Sequence, residues 1–356
     1  MMKKKILGQF AGGILLGWAL LGAAVAHGEE ARRVVRYYGD QQATLPARVD
    51  KIAVMGAHNA MVAMLGYGPN IVATNRGVRD NMPIFRRFVP SITQAALISN
   101  GEPNAPGDLN IETLLHLKPD VIFMGNLPKT QVDLLEKSGI AIVALRHNSM
   151  QNLRERVAIS GDILGDDARK RAEDYRAYFD ANLAKVERIL ARIPAEKRLK
   201  IYHALNEPLT TSGRPSLNQD WMEMGGAINI AEHWFEGAAN AVNTTGKVSM
   251  EAIVAANPDV IVTLRAADAA FIRRDPRWKN LNAVRNGRVY ANPKGMYWWC
   301  RETPEEALQF LWLAKTLYPE AATEIDMKQE TRAFYKRFYG YELSAADVAE
   351  FLEPKE

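Results

Sequence analysis

The sequence predicts an α/β protein built as two similar α/β lobes joined by one long rigid helix, with a ligand cleft between the lobes. Three observations carry this reading: β-branched runs alternating with helical stretches, an internal echo 139 residues apart, and a helical stripe lying between the two copies. One copy runs from Asn110-Ile111-Glu112 to Pro119-Asp120-Val121-Ile122-Phe123, the other from Ser249-Met250-Glu251 to Pro258-Asp259-Val260-Ile261-Val262. In each, Asn110 or Ser249 can cap a helix, proline closes it, and a β-branched run opens a buried strand. Two copies at so long a period make paired lobes, not a solenoid.

Composition agrees. The chain has 356 residues, 47% hydrophobic and 24% charged, enough to bury a large core and unlike disordered, collagenous or coiled-coil sequences. One cysteine, Cys300, excludes an internal disulfide, a Cys-rich zinc module and an iron–sulfur cluster held by this chain alone. The formal charge is +4, but Lys3, Lys4 and Lys5 sit in a segment expected to be removed, which leaves +1. A nucleic-acid partner loses its electrostatic support.

Residues 1–26 read as a secretory signal: basic at positions 3 to 5, apolar from Ile6 to Leu21, and small-x-small at Ala24-Val25-Ala26. The apolar run is shorter than the roughly 20 residues a membrane span needs. Cleavage after Ala26 would release a soluble chain of about 330 residues into a bacterial periplasm. No cysteine near the cut can carry a lipid. The N-terminal α/β lobe is assigned to residues 27–148. After a short polar lead, it has a strand at Lys51 to Met55, a helical stretch through Met61, Met64 and Leu65, a strand at Ile71 to Ala73, and a loop from Thr74 to Pro83. Residues 149–193 form the connecting helical segment. From Asp167 to Arg192 apolar residues recur every three or four positions, and a continuous helix there would run about 39 Å at 1.5 Å per residue. Pro194 ends it. The C-terminal α/β lobe, with C-terminal helices, takes residues 194–356 and opens on the strand Leu199 to His203.

With these features in view the chain resembles the class III periplasmic substrate-binding proteins of ABC importers, the group that carries ferric siderophores, cobalamin and haem. The most specific matches are Leu109 to Asp120 and Val248 to Asp259; the run Glu305 to Pro319 and the tail Phe334 to Gly340 also look like iron-chelate binders. The resemblance implies capture of a metal chelate, most expectedly a ferric siderophore, and delivery to an inner-membrane permease dimer. It also implies that Glu112 and Glu251 dock onto permease arginines, one from each lobe. A first-turn carboxylate also has a purely local reason, since it faces the positive end of the helix dipole. The expected receptor is a monomer without a cofactor.

Ligands of parallel α/β sheets sit beyond the carboxyl ends of strands, so the cleft is expected among strand-end loops. These carry Arg76, Arg79, Arg146, Arg214, Arg265 and Arg301 for anionic groups, and Tyr297, Trp298 and Trp299 as a ring cover. Extended chain points Trp298 and Trp299 to opposite sides, so one is expected to meet ligand while the other packs inward. Cys300 reads as a buried thiol. His58, His147 and His203 also fall near strand ends. Together they could hold bare zinc, nickel or iron, or a metal–histidine complex, which is the alternative cargo; one of them could also complete an open position on a chelate. An enzyme or sensor on the same fold is the reading from a different class. The chain has no Gly-x-Ser-x-Gly elbow, P-loop or His-Glu-x-x-His pair, which leaves no nucleophile or base to nominate.

Overall fold

Two parallel sheets face one another across a helical layer in the computed structural model, which describes residues 31–101, 109–124, 127–236 and 244–355. The signal reading of residues 1–26 lies outside the described residues. A hairpin comes first, β1 (Arg32–Tyr37) and β2 (Gln41–Pro46), where the sequence suggested only a polar lead. Its three-residue turn, Tyr38 to Asp40, holds Tyr38 and Gly39 in the left-handed region at φ +52° and +80°. Only Ala43 and Leu45 of β2 and Tyr37 of β1 are buried, so the apolar signal was too thin to read as a strand pair.

The first lobe carries β3 (Ile52–Val54), β4 (Ile71–Asn75), β5 (Ala96–Ser99), β6 (Val121–Met124) and β7 (Ala141–Ala144), all parallel in the order β5-β4-β3-β6-β7. The second carries β8 (Lys200–Ala204), β10 (Ile228–Asn229), β12 (Val260–Thr263) and β13 (Val289–Ala291), parallel in the order β10-β8-β12-β13. A short antiparallel ribbon joins β9 (Thr210–Ser212) to β11 (Thr245–Lys247). The lobes therefore share one plan, with β3-β6-β7 matching β8-β12-β13.

The echoed segments adopt the same backbone in both lobes. Asn110 Oδ1 accepts from Thr113 N at 3.0 Å and Ser249 Oγ from Ala252 N at 3.2 Å, capping helices Ile111–Leu117 and Met250–Ala256. Each helix ends on a left-handed residue, Lys118 at φ +47° and Asn257 at φ +45°, directly before the proline. Asp120 Oδ2 then accepts from Lys51 N at 2.8 Å, and Asp259 Oδ2 from Lys200 N at 3.0 Å. Each aspartate thus ties the start of its own strand to the neighbouring strand, which sets the register of β6 on β3 and of β12 on β8. The repeated Pro-Asp is a registration device.

Strand alternation divides the core into layers. Val121 and Phe123 of β6, with Val260 and Val262 of β12, join a continuous core running through the helices between the lobes. Ile122 and Ile261 face the outer layers. The connecting segment is two helices, Met150–Leu164 and Asp166–Leu190, broken at Gly165, where φ is +119°. They cross closely at Gly161, where a Cβ would stand 2.8 Å from that of Ala172. The second helix has 25 residues, about 38 Å long, and buries Ala168, Ala172, Tyr175, Phe179, Val186 and Ile189 at the expected spacing. It packs on the first lobe behind Met64 and on the second against helix Glu306–Leu317. Tyr175 Oη donates to Pro304 O at 3.0 Å, and Asn182 Nδ2 to Ala307 O at 2.9 Å.

The C-terminal helices form a second brace. Helix Met327–Tyr339 and helix Ala345–Leu352 bring Tyr335, Tyr339, Tyr341 and Phe351 around Phe88 of the first lobe, and Tyr339 Oη donates to Ala60 O at 3.2 Å. The strand-end stretch expected as a loop, Thr74 to Pro83, contains a short helix, Arg76–Asn81.

Candidate ligand-binding cleft

At the seam between the lobes, the carboxyl ends of both sheets enclose a cleft of about 420 Å³. The first lobe contributes Met55 to His58 after β3, Met124 at the end of β6, and His147 and Asn148 after β7. From the second lobe come Asn206 after β8, Asn218, and Tyr297, Cys300, Arg301 and Glu302 beyond β13. Strand ends place these residues, as doubly wound sheets require.

A three-residue relay forms one wall. Arg156, on helix Met150–Leu164, donates from Nη1 to Glu302 Oε2 at 2.7 Å and from Nη2 to His58 Nδ1 at 3.1 Å. Since a guanidinium only donates, His58 Nδ1 must accept and its proton sits on Nε2, which donates to Ser160 Oγ at 3.2 Å. Burial, and then the adjacent Arg156 charge, push the His58 imidazole well below its ordinary pKa, so it is neutral. Glu302 reaches back across the seam, where its Oε1 accepts from Asn148 N at 2.7 Å. Its own backbone N donates to Glu306 Oε1 at 3.3 Å; burial holds the Glu306 carboxyl well above the usual carboxylate range. Beside Glu302, Arg301 Nη2 donates to Asn206 Oδ1 at 3.1 Å. Arg156 Nε and Arg301 Nε are buried without a partner, two donors that the protein itself leaves unsatisfied.

Four of the expected ligand residues line this cleft: His58, His147, Tyr297 and Arg301. Eight do not. Arg76 bonds Asn100 Oδ1 at 3.0 Å, and Arg79 bonds Asp80 at 2.7 Å; both follow β4, one strand outward from the cleft-lining β3. Arg146 stacks 4.2 Å from the Tyr38 ring centre. Arg214 is held by Glu223 and, at 2.8 Å, by Glu232, while Arg265 bonds Asp268 at 2.9 Å and Asn206 O. Trp298 lies under Lys294, whose Nζ is 4.5 Å from its ring, and Trp299 is fully buried in the helical-layer core. Tyr297 is the ring that turns to the cleft. Cys300 also lines it, but burial pushes its thiol up to about 12, so it remains protonated.

His203 is the eighth. It shares a strand face with Ile201, so its ring turns into the core against Trp221, 5.1 Å between ring centres, and neither nitrogen has a partner. The three histidines therefore do not converge. Among the described residues no group of three or more His, Cys, Asp or Glu side chains is placed to hold a metal ion. Burial, with the Arg301 charge second, lowers the His203 pKa to about 3. Unfolded, it would titrate near 6.5, so its contribution to stability is complete above that pH and is lost as pH falls toward about 3. His203→Phe is expected to remove this dependence, and at pH 5 it should gain about 2 kcal/mol on wild type relative to pH 7.5. Urea unfolding at the two pH values checks it; equal slopes for both proteins would refute the assignment.

Residues 52–295 match the model of a family described as periplasmic binding protein, more than half of the chain. The chain belongs to the periplasmic binding protein family. The curated relatives of this periplasmic binding protein include the molybdate-binding protein MolA of Haemophilus influenzae, 26% identical over 338 residues, covering 87% of this chain and 91% of that one. Among solved structures, a periplasmic solute-binding protein of Veillonella parvula superposes with TM-score 0.76 at 23% identity, covering 90% of this chain and 97% of that chain. Molybdate-bound MolA gives 0.74 at 23%, covering 88% and 99%. Helicobacter pylori CeuE in complex with nickel and histidine gives 0.69 at 20%, covering 90% and 99%. These likenesses establish the shared two-lobed fold. This periplasmic binding protein is a substrate-binding component of an ABC transporter, and its family and neighbours are transport proteins, not enzymes.

Arg156 and Glu302 escaped the sequence reading. A signal for Arg156 was present: it interrupts the buried stripe Leu153, Val157, Ser160 and Leu164 with a lone charge. Glu302 sits one residue beyond Arg301, on a left-handed backbone that no local motif announces.

Proposed function

We propose that this protein captures a compact anion containing a metal, of the molybdate type, in the periplasm and presents it to its permease through Glu112 and Glu251. The wall formed by Arg156 and Arg301 carries the proposal. Two arginines line a cleft whose lining holds one carboxylate, Glu302. Donors already fixed by packing favour a small, strongly accepting oxyanion. The whole-length likeness to a molybdate-binding protein supports the same cargo class.

A ferric siderophore was the expectation from sequence. Its arginine set and ring cover are dispersed here, with only Arg301 and Tyr297 of those residues on the cleft wall, and a small oxyanion uses what remains more fully. A compact chelate is the second reading, favoured by His147: its side chain is 41% exposed on the cleft wall, and its Nδ1 stands 3.9 Å from Glu302 Oε1, leaving Nε2 for an open metal position. Calorimetric titration of the mature chain with molybdate, tungstate, sulfate, ferric siderophores, nickel–histidine and cobalamin separates these. Molybdate and tungstate are expected to bind with Kd on the order of micromolar, about −8 kcal/mol. Tight binding of a ferric siderophore with no response to either oxyanion would overturn the proposal.

Delivery rests on the echoed helices. A helix that feeds a strand runs opposite to it, so its N-terminus lies at the strand's carboxyl edge; Asn110 N indeed donates to Ile98 O in β5 at 2.7 Å. Glu112 and Glu251, both exposed in the first turns of equivalent helices, thus occupy equivalent places at the cleft edges of the two lobes. We read the mature chain as an unlipidated monomer, since both glutamates must remain free to dock.

A further inference from the structure

We propose that Glu302 is a built-in placeholder anion: its carboxylate pairs with Arg156 and must yield that guanidinium to the cargo, so Glu302 sets how much negative charge a ligand needs to enter. This rests on the anion-capture reading above. Arg156, on the connecting segment, is the most buried cation in the cleft, its side chain 8% exposed, and its acidic partner is Glu302, 27% exposed and reaching from the second lobe. Such a cation requires an acceptor in the unliganded protein, because a buried unpaired charge is strongly unfavourable. Glu302 supplies one without belonging to the same lobe or element.

The backbone shows that this position is enforced. Five non-glycine residues among those described have positive φ. Tyr38 turns the hairpin, and Lys118 and Asn257 end the echoed helices. The other two are Asn148 at φ +84° and Glu302 at φ +56°, one from each lobe, joined by the 2.7 Å bond from Asn148 N to Glu302 Oε1. Asn148 Oδ1 in turn accepts from Leu217 N at 3.3 Å. Left-handed residues that meet across a ligand seam are held by their surroundings, and such sites cluster at ligand clamps. The bond from the Asn148 backbone keeps the carboxylate in front of Arg156 yet leaves Glu302 partly open to solvent, so it can swing out. A ligand oxygen arriving at Arg156 replaces one carboxylate acceptor with another anionic acceptor. Only an anion makes that exchange; a neutral solute would leave the ion pair in place.

Calorimetric titration of molybdate and tungstate into wild type, Glu302→Gln and Glu302→Ala tests this, with thermal unfolding of each to confirm folding. Glutamine preserves the acceptor for Asn148 N while removing the competing charge. At least tenfold tighter oxyanion binding is expected for Glu302→Gln. Glu302→Ala should show the same direction. If wild type binds an oxyanion and Glu302→Gln binds it equally or more weakly, the placeholder role is overturned while the anion reading stands. If no protein of the three binds either oxyanion, the anion reading falls and takes this inference with it.

Discussion

Replacing Arg156 with methionine is expected to weaken molybdate binding by roughly 30- to 100-fold, about 2–3 kcal/mol, the effect of truncating one member of a buried hydrogen-bonded charge pair. Methionine keeps much of the apolar stem, so the helix Met150–Leu164 should still pack against His58. What disappears is the donor to Glu302 Oε2 and to His58 Nδ1. The imidazole then loses the contact that fixes its tautomer. Stability should fall as well, by about 2 kcal/mol, since Glu302 keeps its charge with the Arg156 guanidinium gone and only the Asn148 N–H left to it. Calorimetry with thermal unfolding reads both effects. Unchanged affinity in a folded variant would show that Arg156 holds the lobes together and nothing more.

Reversing both exposed glutamates, Glu112→Lys with Glu251→Lys, is expected to abolish uptake while leaving molybdate affinity within about twofold of wild type. A single exposed ion pair contributes little, about 0–1 kcal/mol, so removal alone would be mild. Reversal sets lysine against the permease arginines implied by the family resemblance, and like-charge contact at an interface is unfavourable by several kcal/mol. Neither glutamate lines the cleft. Uptake of labelled molybdate by cells carrying the variant, with affinity measured on the purified protein, separates docking from capture. Normal uptake in the doubly reversed variant would exclude these positions from docking.

Local chemistry made the echoed segments legible. A capping side chain, a helix of seven residues, a chain-reversing residue and Pro-Asp are all set by neighbours in sequence, and both copies carry them. The spacing of Ala168, Ala172, Tyr175 and Phe179 likewise foretold the long helix. Arginine roles were less legible because they depend on partners. Arg79 beside Asp80 and Arg265 before Asp268 had acids one and three residues away, a local reason for their charge that competes with any ligand. Arg214 found Glu223 and Glu232 only through the fold. His203 shows the limit of the strand-end rule, since one position decides whether a side chain opens to the cleft or turns under Trp221. The seam itself joins Glu302 to Asn148 across 154 positions, and no periodicity reports such a pair.

The account depends on where the cargo sits. Crystals of the mature chain grown with tungstate and measured at the tungsten absorption edge locate it directly by anomalous scattering. We expect one dominant peak at the seam, within hydrogen-bonding reach of Arg156 and Arg301 and beside Tyr297, with the Glu302 carboxylate moved off Arg156. A peak instead in the groove of the second lobe lined by Arg273, Lys315 and Lys328, with the seam empty and the Arg156–Glu302 pair intact, would contradict it.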